Sequence, residues 1–373
     1  MDGDTLTLFL CGDVMLARGV DQILPHPGTP ELREPYIRDS RAYVGLAERR
    51  NGPIPRPVDF TWPWGDALAV LDEAAPDVRV VNLETSVTAG GEDAPGKELH
   101  YRMNPANLPC LAAARPDVCV LANNHVLDRG PHGLEDTLDA LAGAGLRVAG
   151  AGRDVTAARR PAVVPVGEDR RVLVFAFGTP SSGIPYRWAA TGDRPGVDLV
   201  PELTDAGAAA ITDRVRQVKR PGDIAVASVH WGGNWGYDVP ADQIRFAHAL
   251  IDGGVDLVHG HSSHHPRPAE VYRGRLILHG CGDLIDDYEG IAGYERYRDD
   301  LRLLHLVRVA AGSGELLELR MVPLQSRRMR LRHATRRDAQ WLGDTLDRVG
   351  ARFGTHIGVA HDGPYDVLTL RHG

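Results

Sequence analysis

Five short polar clusters in this chain carry the residue types that hold metals: Gly12-Asp13, Asn82-Leu83-Glu84, Asn123-Asn124-His125, His230-Trp231-Gly232 and Gly260-His261-Ser262-Ser263-His264. Carboxylate, amide oxygen and imidazole together suit a borderline divalent ion such as Mn, Fe, Co or Zn, whereas an all-oxygen set would suit Ca or Mg. Singly, each cluster reads as something bland, a β-turn at Gly-Asp or a capping side chain at Asn-His. Five in series read as a centre for one or two divalent ions.

Each cluster follows an apolar run, at residues 6–11, 78–81, 118–122, 224–229 and 255–258. In an open α/β sheet the carboxyl ends of parallel strands face one crevice, so residues just past those ends converge from distant points of the chain. Helix-period segments at 64–73, 108–114 and 133–144 alternate with the early strands, which predicts a sheet covered by helices. A second series brings a strand at 171–177, helices at 205–218 and 246–252, and a strand at 275–279. A hairpin then joins 303–309 to 315–321 through Gly312-Ser313-Gly314, and a helix covers 338–353. Two polar, Pro- and Gly-rich stretches, 25–57 and 85–105, are long enough to serve as substrate walls. The arginine-rich run at 327–337 reads as a solvated surface.

At 373 residues the chain has ample length for a large core, and its 43% hydrophobic and 25% charged residues are those of a globular protein. A net charge of -8 argues against nucleic acid as the main partner, since phosphate binding needs a concentrated basic surface. Lys97 and Lys219 are the only lysines, so arginine supplies nearly all of the 42 basic residues, a bias that fits a GC-rich genome. Cys11, Cys110, Cys119 and Cys281 have no C-x-x-C spacing and read as free buried thiols of a reducing compartment. With no basic n-region and no long apolar segment, the expectation is a cytoplasmic protein with no membrane partner. Oligomeric state is not legible.

In order and spacing the clusters resemble the CapA family, named for a poly-γ-glutamate capsule protein, of the calcineurin-like metallophosphatase superfamily. The resemblance runs through Gly12-Asp13-Val14-Met15-Leu16, residues 59–66, Val81-Asn82-Leu83-Glu84-Thr85, 121–130 (L-A-N-N-H-V-L-D-R-G), Ala149-Gly150-Ala151-Gly152, His230-Trp231-Gly232, 247–264 and Phe353-Gly354-Thr355. It implies an α/β fold, a four-layer α/β/β/α sandwich with the metal site at the strand ends, over residues 1–325. The segment 326–373 would pack on that same domain. Carried over by position, Asp13 is a ligand of a first metal and Glu84 a bridging carboxylate. Asn124, His230 and His261 hold a second metal, and His264 returns to the first. His125 matches the phosphatase general acid, and Asp128 orients its ring. Phosphatases of the superfamily place a histidine two residues after the first aspartate; here that residue is Met15.

Two additions shape the expected reaction. His279 and Asp283 stand where capsule proteins have a Leu-Gly-Asn-Phe-like turn, and Trp231 and Trp235 lie in a Gly-rich loop suited to an apolar part of a substrate. His279 reads either as a second acid-base group or as a histidine satisfied by hydrogen bonds to the backbone. The lack of an anchor together with these residues leads to a metal-dependent peptide epimerase, inverting the Cα of a C-terminal residue in a lasso-type precursor with His125, Asp128, His279 and Asp283 moving protons. The alternatives are a CapA-like phosphoesterase or hydrolase, a capsule-biosynthesis role, and a metal-stabilised binding protein without catalysis.

Overall fold

The structure is a computed structural model that describes residues 5–372. Its first strand, Thr5–Val14, shows why the layers form. Leu6, Leu8 and Leu10 enter one apolar core while Phe9 and Cys11 enter another, so the strand is covered on both faces. That is the condition under which a parallel strand reads as one continuous apolar run.

Ten strands make the first sheet. Thr5–Val14 lies at its centre, parallel to Val78–Leu83, which is followed by Val118–Val120 and Arg147–Ala149. On its other side Leu301–Ala310 and Leu316–Ser326 run antiparallel, the hairpin expected from the sequence. Six strands make the second sheet, whose middle is Arg170–Gly178, Ile224–His230 and Leu257–His261, all parallel.

Three cores separate four layers. Leu8, Val80 and Val118 of the first sheet meet Val174, Val226 and Leu257 of the second in the core between the sheets. Outside the first sheet Val20, Val70, Leu111 and Leu134 come from helices, and outside the second Ile211, Val215, Phe246 and Leu250 do the same. The result is the α/β/β/α sandwich the resemblance implies. Each such buried leucine or phenylalanine contributes about 1.5–3 kcal/mol.

The C-terminal segment joins the first sheet. Leu331–His333 pairs with Leu316–Ser326, and the hairpin Thr355–Asp362 with Tyr365–His372 extends the sheet's edge. The helix Arg336–Gly350 is capped by the Thr335 hydroxyl, which accepts from the Asp338 amide at 3.2 Å. In the arginine run, Arg328 and Arg330 stack over the Trp62 ring at 5.7 and 5.1 Å, so part of the run is a packing device and not simply a solvated face. Residues 25–57, read as loop, contain the helix Arg41–Asn51, which buries Tyr43, Val44 and Ala47. Among the described residues no helix is long and apolar enough to cross a membrane. All four cysteines are free and buried.

Candidate metal centre

Both sheets end their parallel strands at the same edge, and the clusters meet there. Asp13 lies near the end of Thr5–Val14, Glu84 just past Val78–Leu83, and His230 and His261 are the last residues of their strands. Ligand atoms of Asp13, His230 and His261 lie within 4.8 Å of one another. Those of Asp13, His264 and Asp283 form a second such group, so Asp13 belongs to both.

Asp283 occupies a place that sequence reasoning gave to an acid-base role. It opens the short strand Asp283–Ile285, which runs parallel to Thr5–Val14 with Asp13 directly opposite Asp283. A Cβ on Gly12 would lie 1.7 Å from the Gly282 carbonyl oxygen, so the two backbones touch only because residue 12 has no side chain. The missing first-motif histidine is thereby answered by a carboxylate from the neighbouring strand. Met15 itself is buried, in contact with Ala17 and Tyr101.

Electrostatics at the centre call for a cation. Asp13 Oδ2 and Asp283 Oδ2 are buried without a hydrogen-bond partner. Burial, and then the charge of Asp283, push Asp13 up to about 7, and burial with the Asp13 and Asp283 charges raises Glu84 well above the usual range. Burial also holds His230 and His261 far below an ordinary histidine, so both are neutral donors at physiological pH. Their Nδ1 atoms face each other at 2.8 Å. His264 goes the other way: burial disfavours its charge, but Asp283, 3.0 Å from its Nδ1, and Asp13 outweigh that and raise it. Unsatisfied carboxylate oxygens beside neutral imidazoles form a donor set that fits a divalent ion.

The remaining predicted residues fall into place around these groups. Asn124 Oδ1 is 2.9 Å from His230 Nε2, and Glu84 Oε1 lies 3.7 Å from His230 Nε2 and 3.9 Å from His125 Nε2. Glu84 thus stands between the ligand groups and His125. Asp128 Oδ2 is 2.5 Å from His125 Nδ1, the orienting contact expected of it. Burial brings His125 down to about 4 against the pull of Asp128. In Asp128 burial opposes ionisation, but His125 and Lys97 outweigh it and keep the carboxylate ionised.

His279 is not brought to the centre. Its Nε2 is 3.0 Å from Glu270 Oε2, and its ring stacks between Phe353 and Trp231. The bland alternative therefore holds in spirit, though its partner is a carboxylate and not the backbone. Trp231 is also misplaced by sequence reasoning: it is fully buried and its indole donates to the His279 carbonyl at 3.0 Å, so it lines no pocket. Trp235 does stand at the rim, stacked on Tyr294 at 4.0 Å and edge-on to His264 at 5.4 Å.

Several residues around the centre were given no role from sequence. Asn82 donates to Asp13 Oδ1 at 2.6 Å and accepts from Asn123 at 3.1 Å. Ser228 Oγ lies 2.9 Å from His261 Nε2 and 3.0 Å from His259 Nδ1, while His259 Nε2 donates to the Cys11 carbonyl at 2.8 Å, fixing that ring. Lys97 pairs with Asp128 at 2.5 Å and donates to the Asn124 carbonyl. The Tyr101 ring stacks on His125 at 3.7 Å. Lys97 had a signal: it is one of two lysines in a chain that otherwise uses arginine, and it lies in the second of the long polar stretches.

Comparison with known proteins gives the chain a family. The family model for the bacterial capsule synthesis protein PGA_cap matches residues 7–288, a span that holds every residue of both ligand groups. A probable polyglutamine synthesis accessory protein of Mycobacterium tuberculosis is 55% identical over 366 residues, covering 98% of this chain and 96% of that protein. The PGA biosynthesis protein CapA of Bacillus subtilis is 26% identical over 318 residues, covering 84% of this chain and 71% of that one.

Proposed function

The chain belongs to the bacterial capsule synthesis protein PGA_cap family, and from that premise we propose that it is a metal-dependent hydrolase serving polymer synthesis, acting on an amide bond in a chain of glutamate or glutamine. The family and the names of the two relatives support the capsule-type alternative over the peptide epimerase. One observation carries the reaction class: the His125 and Asp128 pair stands beside two groups of metal-binding side chains, with Nε2 turned toward Glu84. The epimerase needs a second proton carrier on the opposite face, and His279, engaged with Glu270, does not supply it.

A divalent ion held by Asp13, His230, His261, His264 or Asp283 would supply positive charge to polarise the scissile carbonyl and ease ionisation of water. The chain's own residues do the rest. Asp128 accepts a hydrogen bond from His125 Nδ1–H, which leaves the lone pair on Nε2. Because His125 is neutral at physiological pH, it must take a proton before it can give one. It removes that proton from the water adding to the carbonyl, then delivers it to the departing nitrogen as the carbon–nitrogen bond breaks. The products are a carboxylate and an amine. Tyr101, stacked on the imidazole, and Lys97, tied to Asp128, keep the pair from rotating.

The test incubates metal-loaded protein with poly-γ-glutamate and with polyglutamine and counts new amino termini. His125→Ala is expected to lower turnover by about 100-fold to 10,000-fold with its metal content unchanged. No new amino termini from either polymer, together with deuterium gained at a peptide Cα in deuterium oxide, would overturn the reading in favour of the epimerase.

A further inference from the structure

Two tyrosine hydroxyls meet beside the metal centre and share one short hydrogen bond, with Tyr101 Oη and Tyr288 Oη 2.6 Å apart. Two hydroxyls place only one of their two protons between them, so the other proton points elsewhere. Burial decides which tyrosine keeps the outward proton. Tyr101 is 1% exposed, and among the described residues its hydroxyl has no partner except Tyr288. Were Tyr101 to accept the shared proton, its own O–H would be buried without an acceptor, the costlier of the two arrangements. Tyr101 therefore donates, and half-buried Tyr288 carries the uncommitted O–H.

That O–H stands at the centre. The Tyr101 ring lies flat on His125, and the Tyr288 ring is edge-on to His264 at 5.2 Å, so the pair spans from the proton carrier to a metal-binding histidine. Burial, then Tyr101 and the charges of Asp283 and Glu84, hold the Tyr288 hydroxyl well above the usual tyrosine range, so it stays protonated. Its backbone is fixed from two sides. Asp286 Oδ1 accepts from the Tyr288 amide at 3.0 Å, and the fully buried Asp287 accepts from the Gly19 amide at 2.8 Å and from Arg18 Nε at 3.1 Å. Arg18 in turn lies 4.5 Å over the Tyr101 ring and 5.7 Å over the Tyr288 ring. Positive charge there favours negative charge on the phenol oxygens and so strengthens both O–H groups as donors.

We propose that Tyr288 is a catalytic residue whose hydroxyl donates to the substrate's carbonyl oxygen as water adds and negative charge gathers there. The proton stays on Tyr288 Oη throughout, since the oxyanion expels the amine and becomes a carbonyl again. Tyr101 is a positioning residue. It holds Tyr288 Oη by the shared hydrogen bond while its own ring rests on His125, so the donor and the proton carrier keep a fixed separation. The inference rests on the hydrolase reading for the identity of that oxygen, whereas the capture of a tetrahedral oxyanion by Tyr288 at the metal-loaded centre is independent of it.

The experiment compares Tyr288→Phe with Tyr101→Phe, which remove the same 2.6 Å hydrogen bond and keep both rings. Only Tyr288→Phe removes the outward proton. With poly-γ-glutamate or polyglutamine as substrate, Tyr288→Phe is expected to lower kcat by about 100-fold with KM and metal content little changed, and Tyr101→Phe to lower it by no more than about tenfold. Equal losses would give the pair a packing role and overturn the proposal. Inorganic phosphate, titrated by calorimetry into metal-loaded protein, supplies a readout without turnover. It should bind about tenfold more weakly to Tyr288→Phe than to the parent or to Tyr101→Phe. Phosphate that fails to bind the parent at about 10 mM, or that binds all three proteins alike, would overturn the proposal. A parent that releases no amino termini, while phosphate still separates the two variants, would count against the hydrolase reading and leave the Tyr288 donor in place.

Discussion

The two halves of the metal centre differ in kind: the first sheet brings oxygen and the second brings nitrogen. Asp13, Glu84, Asn124 and Asp283 come from strand ends of the ten-stranded sheet, while His230, His261 and His264 come from those of the six-stranded sheet. The oxygen side is tied together internally, with Asn82 bonded to Asp13 and Asn123 to Asn82. The nitrogen side is braced from behind by Ser228 and His259. Neither side completes a ligand group by itself, because each group joins Asp13 to at least one histidine of the opposite sheet. An ion held there fastens one sheet to the other.

Removing the ion tests that difference most severely. Chelation is expected to lower unfolding stability by about 4 kcal/mol relative to protein held at 1,000 times the dissociation constant, measured by denaturant titration. Equal stability with and without chelator would show that the sheets do not depend on the ion. Next in size is a contrast between ligands. Asp13→Asn, which touches both groups, should weaken all metal binding by more than about 100-fold, since even residues behind a ligand commonly cost 10-fold to 100-fold. His261→Ala should cost one ion and spare the group of His264 and Asp283; equal losses in the two variants by elemental analysis would erase the distinction.

Acidity separates oxygen from nitrogen more gently. Asp13, raised to about 7, takes up a proton below that pH, and an incoming cation must displace it. His230 and His261 are already neutral there and release none. Affinity should therefore fall as pH drops below about 7, by about tenfold per unit for one proton. Calorimetry in two buffers of different ionisation enthalpy reads the released proton, and an affinity flat between pH 5 and 7 would assign the charge elsewhere. The smallest effect belongs to Ser228→Ala, expected to weaken binding about tenfold by freeing the His261 ring.

The sequence made the strand ends legible because periodicity and residue type agree there. Asp13, His230 and His261 lie at the ends of apolar runs, where a parallel sheet leaves side chains no other place to point. Asp283 was visible as a residue but not as a partner of Asp13, because that pairing depends on the contact of Gly12 with Gly282, which spacing does not encode. His279 has the same flavour of sequence around it, yet it faces Glu270; which side of a strand end a residue takes is set by tertiary packing. The helix Arg41–Asn51 was hidden by the prolines around it, and the hairpin Thr355–Asp362 with Tyr365–His372 was not read from the sequence.

The place of Thr5–Val14 in the middle of its sheet sets a schedule for synthesis. One flanking strand, Val78–Leu83, is made soon after it, but the other, Leu301–Ala310, is among the last parts of the domain to be made. At 5–20 residues per second the ribosome needs roughly 15–60 s to travel from the end of Thr5–Val14 to Leu301. Through that interval a strand carrying Leu6, Leu8, Phe9 and Leu10 has an open edge, and the ligands of the second sheet, His230, His261 and His264, appear only in its last third. A complete ligand group therefore cannot form until His261 has been made, and the second group not until Asp283, so the order of synthesis places metal capture late in the making of the chain.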